Sequence, residues 1–324
     1  MMGVLNHLST LLLLSLIPPA LAHVVERFDP ECKEFFLEGT TPNLPGILVG
    51  GRVQDQNRYK PICQKYNNTY RFATLYDTTN KIPVFSAYTF TGNILGRPKQ
   101  SWMIEPKLGG IDVEEMKTQH EVKMLNNKID IGVDHQAVDA DYSATISSMD
   151  LDRGHIFPCS HTPDNATMRS TFTLTNVVPQ EKGFNRGRWC KVECKVRKTL
   201  VENCKDDKTK VYVVTGAVPS SSNTLNNRVN IPDHLWTAYC CYNSTKNWTV
   251  GAYWGENKND NGKILNLETL GALEAKLNKS YNGIVKVFHD NCPRNVQVQQ
   301  GKKRTRKGMA IASEKDCDGE CDEK

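Results

Sequence analysis

Beyond the N-terminus, no run of apolar residues approaches the roughly 20 needed to span a bilayer. The body of the chain therefore reads as a soluble protein. It has no Cys-x-x-Cys pair and no Cys/His array at zinc spacing, which excludes a structural zinc module. No internal repeat is present, so a repeat array is excluded as well. A strong charge of one sign is also missing. The net charge is +5 and the pI about 8.5, a mildly basic balance that suits a polyanionic partner without establishing one.

The 324 residues, 24% charged and 39% hydrophobic, have the composition of an ordinary globular protein. Leu11–Ile17 forms a short apolar core, Pro18-Pro19 breaks it, and Ala20-Leu21-Ala22 offers small residues for cleavage. This pattern predicts a signal peptide over 1–22 and His23 as the first mature residue, although Met1–Thr10 carries no Lys or Arg. All eleven cysteines (32, 63, 159, 190, 194, 204, 240, 241, 292, 317 and 321) lie beyond that site. In an oxidising compartment most should pair, each bond contributing about 2–4 kcal/mol. Because eleven is odd, one thiol stays free, pairs between molecules or is capped. Sequons at Asn67, Asn165, Asn243, Asn247 and Asn278 point to the same compartment. The expectation is a secreted, extracellular, disulfide-stabilised glycoprotein.

Residues 23–60 read as a loop-rich lead-in rich in Gly, Pro and Asn, and 61–295 as the globular domain. Ile82–Phe90, Thr171–Leu174, Lys210–Thr215 and Trp248–Trp254 have strand composition. After Asn266, a plausible N-cap, Leu267, Leu270, Leu273 and Leu277 recur at helical steps. Strands and helices interleave without a βαβ rhythm, which favours an α+β or mixed α/β fold. Residues 296–324 hold the basic run Lys302, Lys303, Arg304, Arg306 and Lys307, then acidic residues with Cys317 and Cys321. Such charge blocks usually form a solvated tail.

Asp152-Arg153-Gly154-His155 brings a guanidinium, suited to phosphate oxygens, close to an imidazole, suited to general-base work near neutral pH. Taken alone, such a triplet is more often structural. Downstream, Asn185, Trp189, Glu193 and Arg197 recur at steps of four. On one helix over 185–200 they drift only about 40° per step. An amide oxygen, a carboxylate and a guanidinium would then share one side, a mixture suited to Mg²⁺ held by few protein ligands and several waters.

Thr175-Asn176, Pro179-Gln180, Asn185, Trp189 and Glu193, following the intact Asp152–His155 motif, resemble the DNA/RNA non-specific endonucleases. Tyr212–Gly216, Ile231-Pro232 and Trp236 extend the similarity across roughly 61–290. Within that family, the leader, the Cys240-Cys241 pair and Asn291-Cys292 look most like the vertebrate endonuclease domain-containing 1 proteins. The resemblance implies a ββα-metal nuclease fold, with an antiparallel sheet core flanked by helices. It implies Mg²⁺, with Mn²⁺ able to substitute, and DNA and RNA gripped through the phosphate backbone, hence little sequence preference. It assigns His155 as general base, Asn185 as metal ligand, and Glu193 to water around the metal. Arg153 and Arg197 sit near the phosphate, and Asn176 orients the site. An upstream arginine aligns only loosely, with Arg97 as the candidate.

Bland readings apply to other residues. His161 reads as a loop histidine rather than a second metal ligand, Cys190 and Cys194 as disulfide anchors for their helix, and Trp189 and Trp236 as core. The rival function is a catalytically silent, secreted nucleic-acid-binding or interaction protein that keeps the fold. Retention of Arg153, His155, Asn185 and Glu193 argues against it.

Overall fold

Strand pairs that alternate side chains between two covered faces dominate the chain. The computed structural model describes residues 24–94, 96–125, 133–143, 146, 148–204, 210–242, 248–260 and 264–296. The expected leader 1–22, the tail from 297 with Cys317 and Cys321, and the sequons at Asn243 and Asn247 lie outside these residues. Of the other sequon asparagines, Asn67 and Asn165 are exposed and Asn278 is half-buried.

Among the described residues, eight strands longer than two residues run in the order β1 (Tyr59–Tyr66), β2 (Thr69–Asp77), β3 (Ile82–Thr89), β4 (Leu151–His155), β5 (Val177–Glu181), β6 (Val211–Val218), β7 (His234–Tyr242) and β8 (Trp248–Glu256). Six form one antiparallel sheet in the order β8-β7-β6-β3-β2-β1, and β4 pairs with β5 in a separate ribbon. Helices α1 (Asp139–Ser143) and α2 (Cys190–Asn203) lie on the face of the sheet that carries the site, and α3 (Leu270–Tyr281) covers the other. The fold is α+β, with the expected antiparallel sheet flanked by helices. Among the described residues no helix is long and apolar enough to cross a membrane.

Successive residues of a strand point to opposite faces, and here both faces are covered. On one, Tyr212, Val214, Trp236 and Ala238 pack with Leu270, Leu273 and Leu277 of α3 and with Phe28, Phe36 and Leu44 of the N-terminal segment. On the other, Val211, Val213, Leu235 and Tyr239 pack with Val177, Val178, Trp189, Val192, Val196 and Leu200. Double coverage explains why Val211–Val218 reads as a nearly continuous apolar run rather than alternating. It also explains Cys240 and Cys241. As strand neighbours they face opposite ways, so Cys240 bonds Cys292 on the first face while Cys241 bonds Cys204 on the second. Cys32–Cys63 ties the N-terminal segment to β1.

Three local expectations need correction. Thr171–Leu174 forms no strand: the chain turns there and enters a 3₁₀ turn at Leu174–Asn176. Thr171 Oγ1 donates to the Met168 carbonyl, a local bond that competes with a ladder. Helix α3 begins later than expected, capped by Thr269, whose Oγ1 accepts from Ala272 N at 3.1 Å, rather than by Asn266. The segment 185–200 is not one regular helix, because Phe184–Trp189 forms a wider π-helical turn before α2 starts. Such turns concentrate at functional sites.

Candidate active site

Strand β4 carries Asp152, Arg153, Gly154 and His155, paired antiparallel with β5 so that Asp152 faces Gln180 and Gly154 faces Val178. Gln180 reaches diagonally across the ribbon. A β-carbon on residue 154 would lie 1.6 Å from Gln180 Oε1, so only glycine fits. The motif glycine therefore makes room for a fully buried glutamine.

At the end of this ribbon lies a cavity of about 430 Å³, whose lining includes Arg97, Trp102, Tyr142, Arg153, His155 and Asn185. His155 is buried against Trp102 and Phe172, with ring centroids 5.2 and 4.8 Å away. Arg153 lies between two rings, its Cζ 5.4 Å from the Trp102 centroid and 5.2 Å from that of Tyr142. Its Nη1 is 3.3 Å from Asp139 Oδ1 on α1. Burial lowers the Arg153 pKa while Asp139 and Tyr142 oppose the shift, and a guanidinium stays charged through any such change. Arg97 stacks over Phe172 at 5.0 Å, which brings this loosely aligned arginine into the same cavity.

Asn185 enters from the π-helical turn. Its Nδ2 donates to Asp152 Oδ2 at 3.1 Å, and Asp152 also accepts from Arg186 Nε at 2.7 Å and Nη2 at 2.8 Å. Burial raises the Asp152 pKa, but the hydrogen bonds from Arg186 and Asn185 outweigh it and hold the carboxyl below its usual range. A carboxylate only accepts, so the Asn185 amide turns its NH₂ toward Asp152 and keeps its oxygen for another partner.

Glu193 and Arg197 follow on α2, one and two turns beyond Trp189, both buried and neither lining the cavity. Arg197 Nη2 lies 3.7 Å from Cys194 Sγ. The Glu193 carbonyl meets His161 Nε2 at 2.8 Å, while His161 Nδ1 meets Tyr88 Oη at 2.8 Å. Since a carbonyl cannot donate, Nε2 carries the proton and Nδ1 accepts from the phenol. Burial and the nearby Glu193 charge push the Tyr88 pKa well up, so it remains a donor. His161 thus fastens α2 to the sheet, as a structural histidine. Asn176 is fully buried, accepts from Phe157 N and Ser86 Oγ at 3.0 and 2.9 Å, and donates to the carbonyls of Phe157 and Thr171 at 3.1 and 3.0 Å. It fixes the backbone directly after His155. Trp189 and Trp236 are buried, as expected.

The donors present suit a hard cation. Among the described residues no three His, Cys, Asp or Glu side chains converge to hold a metal. An ion here would rest on few protein atoms, as Mg²⁺ does when it keeps its waters. Asn185 Oδ1, left over once Nδ2 is engaged by Asp152, is one oxygen of the cavity lining that could hold it.

Sequence reasoning gave no role to Asp152, Trp102, Asp139 or Tyr142. Asp152 stood in the motif and was legible in principle. Asp139 and Tyr142 meet Arg153 only through tertiary packing.

The profile of the DNA/RNA non-specific endonuclease family matches residues 54–295. The chain is 33% identical over 223 residues to the mouse (Mus musculus) endonuclease domain-containing 1 protein, covering 68% of this chain and 40% of that protein. It is 29% identical over 221 residues to the human (Homo sapiens) counterpart, covering 68% and 41%. It thus spans about two-fifths of the length of these relatives. A nuclease of Serratia marcescens is 34% identical over 77 residues, 24% of this chain and 28% of that protein. A chain from the crystal structure of the EndoG/EndoGI complex shares 19% identity at a TM-score of 0.48, covering 66% of this chain and 84% of that one. The chain belongs to the DNA/RNA non-specific endonuclease family.

Proposed function

We propose that the protein is a secreted, Mg²⁺-dependent endonuclease that hydrolyses phosphodiester bonds of DNA and RNA with little sequence preference. The observation that carries this reading is the convergence of His155, the Asp152-oriented amide of Asn185, Arg153 and Arg97 on one cavity. Imidazole, a neutral oxygen donor and two guanidinium groups are the parts that hydrolysis of a phosphate diester needs. The leader sequence and the disulfides Cys32–Cys63, Cys204–Cys241 and Cys240–Cys292 support export.

His155 accepts a proton from the attacking water as general base. Arg153, held between Trp102 and Tyr142, and Arg97 bind the phosphate oxygens and meet the charge that grows on them. Asn185 Oδ1 would hold the metal, with Asp152 fixing the amide. When bound, Mg²⁺, or Mn²⁺ in its place, would supply positive charge to stabilise the negative charge that develops on phosphate and leaving group. Glu193 and Arg197 back the site from α2 without lining the cavity, where the resemblance assigns Glu193 to water around the metal and Arg197 to the phosphate. Asn176 positions His155 through the backbone. Contacts to phosphate carry no base information, so weak sequence preference follows.

Incubation of the oxidised, folded protein with plasmid DNA and with RNA, with Mg²⁺ and with chelator, tests this. Cleavage of both that stops on chelation is the expected result. Binding without cleavage, weakening steeply with salt, would replace this reading with that of a silent nucleic-acid-binding protein.

A further inference from the structure

Between β6 and β7 the chain makes a short hairpin, Thr224–Leu225 paired with Val229–Asn230. Asn226 and Asn227 both take left-handed backbone angles, φ 53° and 54°, and Arg228 N donates to the Leu225 carbonyl at 3.0 Å. Two left-handed residues in succession make the tight turn whose twist suits a hairpin, and asparagine tolerates that region better than most residues. Leu225 and Val229, on either side of the turn, are fully buried in the same core as Tyr142 and Val192. The hairpin therefore gives Arg228 a fixed base.

Arg228 reaches from that base to α1. Its Nε donates to Asp141 Oδ1 at 2.6 Å, and its Nη2 donates to the carbonyls of Val133 and Gln136 at 2.7 and 3.4 Å. Asn226 Nδ2 adds a bond to the Asp141 carbonyl at 2.8 Å. Asp141 is buried, and its second carboxylate oxygen accepts from Val138 N at 2.9 Å, just before the helix begins. With five residues, α1 is far too short to hold its own shape in water, so its position depends on what fastens it. On one side of Asp141, Asp139 Oδ1 lies 3.3 Å from Arg153 Nη1. On the other, the Tyr142 ring centroid lies 5.2 Å from Arg153 Cζ. Arg228 does not line the cavity, but the helix it grips holds a guanidinium that does.

We propose that Arg228 is a positioning residue for the guanidinium of Arg153: it fixes α1 through Asp141, and α1 holds Arg153 through Asp139 and Tyr142. The inference rests on the assignment of Arg153 to the phosphate. Charge alone does not fill this role. The planar fork of Arg228 serves a carboxylate and two carbonyls at once, which the ammonium of a lysine on its flexible stem does not match. With α1 released, Arg153 loses the carboxylate and one of the two rings that set its direction. A misplacement of about 1 Å at such a site costs on the order of a hundredfold.

Two variants of the full, oxidised chain test this. Arg228→Lys keeps a positive charge beside Asp141 but loses the fork. Asn226→Gly keeps the left-handed turn and drops only the amide contact to α1, so it is the milder change. Phenylglyoxal, which labels accessible guanidinium groups, reports on Arg153 directly. Arg186 serves as the control, its side chain 45% exposed against 20% for Arg153. Mass spectrometry should find Arg153 labelled several-fold faster in Arg228→Lys, and faster by less in Asn226→Gly, with Arg186 unchanged. In plasmid cleavage, kcat/KM should fall roughly ten- to a hundredfold in Arg228→Lys. The same change should add little in an Arg153→Lys background, because both act on one guanidinium. Unchanged labelling of Arg153 in both variants, or a loss that adds in full to that of Arg153→Lys, would overturn the proposal. Labelling needs no substrate, so it separates failure of this inference from failure of the nuclease reading.

Discussion

Asp152 Oδ2 accepts a hydrogen bond from Asn185 Nδ2 at 3.1 Å, and this contact decides which end of the amide is left to the cavity. Without an obligate acceptor at 152 the amide can rotate. Replacing Asp152 by Asn retains the shape but removes that restriction. Loss of an outer partner of this kind typically costs 10–100-fold in metal affinity or activity. The Mg²⁺ concentration giving half-maximal cleavage should therefore rise about 10–100-fold in Asp152→Asn. An unchanged Mg²⁺ dependence would leave Asp152 without this role.

Gly154 should tolerate no side chain. A methyl group there meets Gln180 Oε1 at 1.6 Å, inside a fully buried contact. Overpacking of this kind typically costs about 1–3 kcal/mol. Urea denaturation of Gly154→Ala should show a loss of that size. Gly154→Ala combined with Gln180→Ala should recover part of it, since the clash is with that side chain.

Trp102 touches both His155 and Arg153. Trp102→Leu removes the wall that holds the imidazole and one of the two rings that hold the guanidinium. A misplacement of about 1 Å at such a site costs on the order of a hundredfold. Steady-state assays should show kcat/KM down by roughly ten- to a hundredfold. Tyr142→Leu removes only one cation–π partner, worth about 0.5–2 kcal/mol, so its loss should be smaller.

Asp164 caps the short helix Asn165–Ser170, accepting from Thr167 N and Oγ1 at 2.8 Å each. Burial raises its pKa, but these bonds together with the Arg71 charge bring it below the ordinary 3.8. A depressed carboxyl stabilises the folded state above its unfolded pKa and loses that contribution as pH falls through the folded value. Asp164→Ala should cost about 0.5–2 kcal/mol near neutral pH. The gap from wild type should narrow in melts taken as the pH falls below the ordinary 3.8 and through the depressed folded value.

Much of the fold and site was legible in the sequence. Apolar strands such as Val211–Val218, the leucine period of α3 and the order of Asp152–His155 before Asn185 all announce themselves. What escaped depends on tertiary contact. The π-helical turn at Phe184–Trp189 overrides the four-residue spacing that would align Asn185 with Glu193, so the cavity receives Asn185 but not Glu193. Thr171–Leu174 looks like a strand by composition, yet side-chain bonds to nearby carbonyls turn it. Pairing of adjacent Cys240 and Cys241 to different partners follows from strand alternation only once the sheet is known to be covered on both faces.

The central claim is that His155 is the general base of a phosphodiester hydrolase. The most direct test compares plasmid cleavage by wild type and His155→Ala in Mg²⁺, with matched thermal melts and intact disulfides. Loss of a general base typically lowers the rate about 10²–10⁴-fold, and a fall of that size is the expected result. Equal cutting by His155→Ala would contradict the account.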